Sequence, residues 1–180
     1  MKDLHQLFIT RRSIRKYSDQ AISAEDVAQL LQAALLAPSG KNRKPCHFIA
    51  LEDKETLTAL SQVKPHGASC VKEAKLCIVV AADTYQSDTW IEDSAIAATF
   101  IQLQCEDLGL GSCWVQVRER YTEMGYPSED FVRAQLDLPP HYGVLAIIAI
   151  GHKDEAKKEA DCSKLEWERV HVSKFTNNEI

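Results

Sequence analysis

Apolar positions recur along the chain with two periods. Val27, Leu30, Leu31, Ala34 and Leu35 fall at i, i+3, i+4, i+7 and i+8, which is one face of a helix. Ser23 opens that helix with Asp26 three residues on, close to a capping box, and Pro38 and Gly40 stop it. DLHQLFI (3–9) reads as a short amphipathic helix, and 53–61 and the stretch from Ser128 to Leu136 as two more. From Trp90 to Leu108 the apolar residues occupy more than one side of a long helix, the pattern of a central, buried element, with Gly109 as its C-terminal cap. The other period belongs to strands. CHFIAL (46–51), SCWVQV (112–117) and GVLAIIAI (143–150) read as strands, and LCIVVAA (76–82), a short apolar run rich in β-branched residues, as a buried one.

Helices therefore outnumber strands and mostly lie between them, which predicts an α/β or α+β domain spanning 1–180 without internal repeats or a low-complexity linker. Beyond Gly151 the chain becomes highly charged, with apolar residues at Leu165, Trp167, Val170, Val172 and Phe175. VHVSKF (170–175) alternates like a strand but stands apart from the compact unit. The edge of a partner subunit's sheet is one place for it to dock.

Composition narrows the function classes. The chain has 180 residues, 45% hydrophobic and 26% charged, as in an ordinary globular protein, with a net charge of −5. A sequence pI of 5.7 argues against nucleic-acid binding by counterion release. No apolar run approaches the roughly 20 residues that span a bilayer, and MKDLHQLF carries charges where a signal peptide needs apolar residues, so a cytoplasmic protein is expected. The six cysteines, Cys46, Cys70, Cys77, Cys105, Cys113 and Cys162, form no CxxC pair. Cys46, Cys77, Cys105 and Cys113 lie in apolar segments and read as small buried hydrophobes in a reducing compartment.

The chemistry-bearing motifs are few. DLGLGSCWV is not a dinucleotide fingerprint, because Trp114 stands at the third glycine and a helix leads into a strand rather than the reverse. No P-loop, GxSxG elbow or HExxH motif is present, and the histidines are scattered, so neither a metal set nor a catalytic triad is expected. RRSIRKYS (11–18) remains: Arg11, Arg12, Arg15 and Lys16 within an acidic chain. They fit a solvated basic turn, a nucleic-acid arm or a pocket for a small anion. A second polar loop, APSGKNRKP (37–45), adds hydrogen-bonding groups and a flexible backbone. Arginine forks bind phosphate bidentately, and serine adds a hydroxyl donor.

RRSIRKYS, APSGKNRKP, GLGSCWV and GVLAIIAIGHK, in this order, resemble the nitroreductase family of FMN-dependent oxidoreductases, its short members in particular, over nearly the whole chain. The resemblance implies an α+β sandwich, a central, mostly antiparallel sheet flanked by helices. It implies a homodimer with FMN at the subunit interface, the extension at about 153–180 embracing the partner with a swapped C-terminal strand. Arg11, Arg12, Ser13 and Arg15 match the first FMN segment, with Arg11 and Ser13 toward the phosphate and ribityl chain and Arg15 toward the pyrimidine edge. Pro38, Ser39, Gly40 and Asn42 match the loop reaching FMN from the other subunit. Trp114, Val115 and Gln116 match the stretch along the ring near N5. Gly151 and His152 begin the tail segment, and Lys164 matches a late basic residue at the phosphate, with Lys157 and Lys158 as rivals.

The implied activity is ping-pong: NADH or NADPH gives hydride to FMN, and a nitroaromatic, quinone or similar acceptor then takes it, with no protein nucleophile required. The chain departs from the family at Lys44 (often Gln), at Cys46 (often Trp) and at Gln116, where longer members place a Glu. The region between the long helix and GVLAIIAI is brief, which implies a more open pocket. Two alternatives stay open: a specialised reductase of the same fold that does not use NAD(P)H directly, and a non-enzymatic module whose basic turn holds an anion or nucleic acid.

Overall fold

A computed structural model describes residues 3–175. The chain order is α1 (Leu4–Thr10), α2 (Ala24–Leu35), β1 (Cys46–Leu51), α3 (Lys54–Leu60), α4 (Cys70–Glu73), β2 (Leu76–Asp83), α5 (Trp90–Asp107), β3 (Leu110–Gln116), α6 (Ser128–Gln135) and β4 (Tyr142–His152). The local signals act as expected. The Ser23 hydroxyl accepts the Asp26 N–H at the start of α2, and Asp53 caps α3 through the N–H groups of Glu55 and Thr56.

Among the described residues the four strands form one sheet in the order β1-β2-β4-β3, and all three pairings are antiparallel. The sheet is covered on both faces, which is why its central strands read as unbroken apolar runs rather than alternating ones. Cys77, Val79 and Ala81 of β2 face a core completed by α3, α4 and α6 through Leu57, Leu60, Val71 and Val132. Leu76, Ile78 and Val80 face the opposite core, closed by α2 and α5 through Leu30, Ala34, Ala98 and Ile101. Two helical layers around a central sheet make the α+β sandwich.

Helix α5 is central, with an unusual distribution. Its buried side includes Asp93, Ser94, Gln102 and Glu106, whereas Ile96 and Phe100 are exposed. An apolar groove of about 440 Å³ between α1, α2 and α5 is lined by Leu4, Leu7, Phe8, Phe100 and Leu103. No helix among the described residues is long and apolar enough to cross a membrane.

The strand expected at 170–175 does not form. These residues make bends, Ser173 has φ 67°, and Val170, Val172 and Phe175 are exposed. An extended segment needs a neighbour to complete its ladder hydrogen bonds, and among the described residues no strand pairs with it. The tail instead runs back along the N-terminal segment as far as Ala160, whose N–H donates to Ile9 O at 2.9 Å, and is exposed from there to Val170.

Candidate functional site

The basic segment is laid along the outer side of β3 and the end of β4. Ser13 forms a parallel bridge with Ser112 and Tyr17 an antiparallel bridge with Lys153. The Ile14 N–H donates to Ser112 O at 2.9 Å, and the Ser18 N–H to His152 O at 3.0 Å. Ile14 is buried, and the Tyr17 hydroxyl donates to Ile14 O at 2.6 Å with Ala149 O at 3.1 Å. With Ile14 and Tyr17 anchored inward, the cations between them are held at the rim. The returning tail fixes them further: the Arg12 guanidinium donates to the Lys158 carbonyl, and the Arg15 N–H to Glu155 Oε1 at 2.6 Å. Among the described residues no carboxylate pairs with the guanidinium of Arg11 or Arg15. Two open guanidinium forks beside the Ser13 hydroxyl are a donor set suited to a phosphate.

Two residues that the sequence did not single out, Lys64 and Cys70, join this corner. Lys64 lies in the turn after α3, and its charge and that of Arg15 both act on the Cys113 thiol of β3. The Cys113 thiol donates to Trp114 O at 3.7 Å, Cys70 of α4 acts on the same thiol, and both cysteines are buried. The hydrogen bond from Cys70 lowers the Cys113 thiol to about 7; Arg15 and Lys64 act in the same direction, while burial opposes them. Cys70, the donor, is pushed upward by that bond and by burial. No local pattern announces this cluster, because its members come from four separate segments. Arg15 and Cys113 alone could have been found, through the motifs that carry them.

The loop from Pro38 to Lys44 is built differently. Lys41, Asn42 and Lys44 adopt left-handed backbone with φ of 52°, 55° and 49°. That strain is held by surrounding bonds. The Gly40 N–H donates to Asp93 Oδ1 at 2.8 Å, and the Ser39 hydroxyl accepts the Lys44 N–H at 2.9 Å. The other Asp93 oxygen accepts from Ser87 at 3.3 Å and Thr89 at 3.2 Å. Pro38 and Ser39 border a cavity of about 110 Å³ shared with Cys46 and Phe48.

On β3, Trp114 Nε1 donates to Gln116 Oε1 at 2.9 Å, and Gln116 Nε2 donates to Arg118 O at 3.1 Å. The Gln116 amide is thus committed at both ends. Val115 is wholly buried in the core. Gly151 and His152 lie beside the basic segment. Lys164 stands on the exposed tail, paired with Asp161 at 3.5 Å, and Lys157 is tied to Glu155 at 2.7 Å.

The structure therefore gathers Arg11, Arg12, Ser13, Arg15, Gly151 and His152 at one corner, and Pro38, Ser39, Gly40 and Asn42 at another. Cys46 pairs with Ala82 of β2, while Ser112 pairs with Ile150, itself opposite Leu76. The corners are diagonal across the sheet, roughly 25 Å apart from six residue steps along β2 and three strand spacings.

This arrangement defines a sandwich with an anion-receptive corner. The sequence matches the Nitroreductase family over residues 9–75 and 62–152, and the chain belongs to that family. It is 45% identical to an FMN-dependent nitroreductase of Clostridium difficile R20291, whose structure superposes with a TM-score of 0.91 over 94% of this chain and 98% of that one. It is also 35% identical to an Archaeoglobus fulgidus protein provisionally named NADH dehydrogenase/NAD(P)H nitroreductase, over 97% of this chain and 100% of the relative. A Bacillus subtilis FMN reductase [NAD(P)H] is 24% identical over 99% of this chain and 77% of its own length.

Proposed function

We propose that this chain is an FMN-dependent NAD(P)H oxidoreductase that works as a homodimer. The observation that carries the reading is the corner where, among the described residues, the guanidinium groups of Arg11 and Arg15 make no ion pair with a carboxylate while Lys64 joins Arg15 beside Cys113. Bound FMN would accept hydride from NADH or NADPH and pass the electrons, in a second half-reaction, to a nitroaromatic, quinone or similar acceptor. Arg11 and Ser13 hold the phosphate. Arg15 and Lys64 supply fixed positive charge where negative charge develops on the pyrimidine side, and such preorganised charge favours the reduced state. Arg12 acts one step back, securing the tail through the Lys158 carbonyl. Gln116 is neutral and engaged with Trp114 and Arg118, so it shapes the wall rather than relaying a proton.

Three features support the dimer. The two motif-bearing corners lie too far apart along one sheet to close on one ring, so a second copy supplies Pro38, Ser39, Gly40 and Asn42. The outer face of α5 leaves Ile96 and Phe100 open. The tail carries Leu165, Trp167, Val170, Val172 and Phe175 in the open, an apolar set suited to a partner's surface.

The test is an absorption spectrum of the purified protein, followed by anaerobic addition of NADPH and then NADH, with sedimentation to weigh the particle. A flavin band that either nucleotide bleaches, on a particle of two chains, is the expected result. A colourless protein that takes up no added FMN overturns the reading.

A further inference from the structure

Next to the anion-receptive corner lies a second hollow, of about 340 Å³, lined by Ser61, Lys64, His66, Ser69, Lys72 and Glu123. Its charge balance is unusual for an acidic protein. Two lysines and a histidine meet a single carboxylate, Glu123. Glu73 stands outside the lining and reaches Lys72 at 3.9 Å. No carboxylate of the described residues forms an ion pair with Lys64. Burial and the neighbouring Arg120 charge both push the Lys64 ammonium below its ordinary range. A partly buried cation among cations is costly unless an anion arrives to match it. Lysine ammonium groups and serine hydroxyls are donors that phosphate esters accept.

The size separates this hollow from a site for a bare ion. Its volume falls at the lower end of the range for small-molecule pockets, enough for a phosphate with the sugar attached to it. Its position supplies the rest. Lys64 belongs both to this hollow and to the cluster with Arg15 and Cys113. A nucleotide whose nicotinamide reaches the ring beside Arg15 would trail its phosphates past Lys64 toward His66 and Lys72. We propose that the hollow of Ser61, Lys64, His66, Ser69 and Lys72 is a subsite for a phosphate group of the nicotinamide nucleotide donor. This rests on the oxidoreductase reading above and adds where that donor is gripped.

The test uses the FMN-loaded full chain and two variants away from the flavin corner, Lys72→Gln and His66→Gln, with Lys72→Glu as a charge reversal. Removing one charged contact is expected to raise the donor KM about tenfold while kcat and FMN content stay unchanged. A rise for NADPH alone assigns the hollow to the 2′-phosphate; an equal rise for NADH and NADPH assigns it to the pyrophosphate. Unchanged KM for both donors in all three variants overturns the proposal. Calorimetric titration with adenosine 2′,5′-bisphosphate and with ADP measures the hollow without turnover. Binding that is lost in Lys72→Glu supports the subsite even if the protein proves to carry no FMN and the broader reading fails. Binding of neither probe, or binding indifferent to Lys72→Glu, overturns the subsite even if the flavin bleaches normally.

Discussion

Gly111 of β3 stands directly opposite Gly151 of β4, and the segment carrying Arg11 to Tyr17 crosses the sheet on this bare pair. A Cβ on Gly111 would lie 2.7 Å from Ile14 Cγ2, and one on Gly151 2.8 Å from the Tyr17 ring. Ile14 is buried and Tyr17 is tethered by its hydroxyl, so neither side chain can yield cheaply. Gly111→Ala and Gly151→Ala are each expected to destabilise the protein by about 1–3 kcal/mol, as overpacking does. Urea unfolding measures this. Unchanged midpoints in both variants would show that the crossing is looser than described.

Asp93 accepts the Gly40 N–H and the hydroxyls of Ser87 and Thr89 while buried. Asp93→Ala strands these donors and is expected to cost about 3 kcal/mol. Asp93→Asn keeps an acceptor for Gly40 and should cost less than half of that. The FMN dissociation constant should rise in Asp93→Ala, where the left-handed loop loses its brace, and change little in Asp93→Asn. Denaturation combined with flavin fluorescence quenching reads the two effects separately.

Arg15 is assigned to the electronics of the ring rather than to binding alone. Arg15→Ala is expected to disfavour reduction about tenfold, which lowers the two-electron potential by about 30 mV. Arg15→Lys should restore most of that shift, since the charge remains. Potentiometric titration decides; an unchanged potential with weakened FMN binding would confine Arg15 to holding the cofactor.

The thiol pair predicts a pH profile. Cys113 ionises at about 7 in the folded chain, below its ordinary value, so its stabilising contribution is fully present above the ordinary thiol range and is lost as pH falls through about 7. Cys70 and Tyr17 are pushed upward, so their contribution is lost as pH rises past the ordinary thiol and phenol values. Stability should therefore climb from about pH 7 to roughly 8.5 and decline beyond it. Thiolate absorbance should show a midpoint near 7 that Cys113→Ser abolishes, together with the climb. A climb that persists in Cys113→Ser would assign it to another group.

Much of the scaffold was legible because its signals are local. Strand β1 occupies the run CHFIAL, and the Ser23 cap and the Gly109 stop sit where the pattern put them. Helix α4 was not legible, because four residues between a turn and a strand show no period. The strand read at 170–175 does not form within this chain for another reason: alternation states a preference, but a ladder needs a neighbour, which the reading placed on a partner subunit. Reading the cysteines as small buried residues suits Cys77 and Cys105 well. It misses what Cys113 gains from Cys70, Arg15 and Lys64, which long-range packing alone brings together. RRSIRKYS stood out because four of its eight residues are cations; Lys64 is one lysine among many until the fold sets it beside Arg15.

The diagonal placement of the two corners has a genetic consequence. The symmetric dimer proposed above would contain two sites, each assembled from the Arg15 corner of one protomer and the Gly40 loop of the other. A chain damaged at Arg15 and a chain damaged at the loop would each be inactive alone. Mixed together, they would form pairs in which both lesions fall in one site and the other site is whole. Mixed pairs of two dead proteins would thus carry up to half the activity of the intact dimer, an interallelic complementation that lesions confined to one corner could not produce.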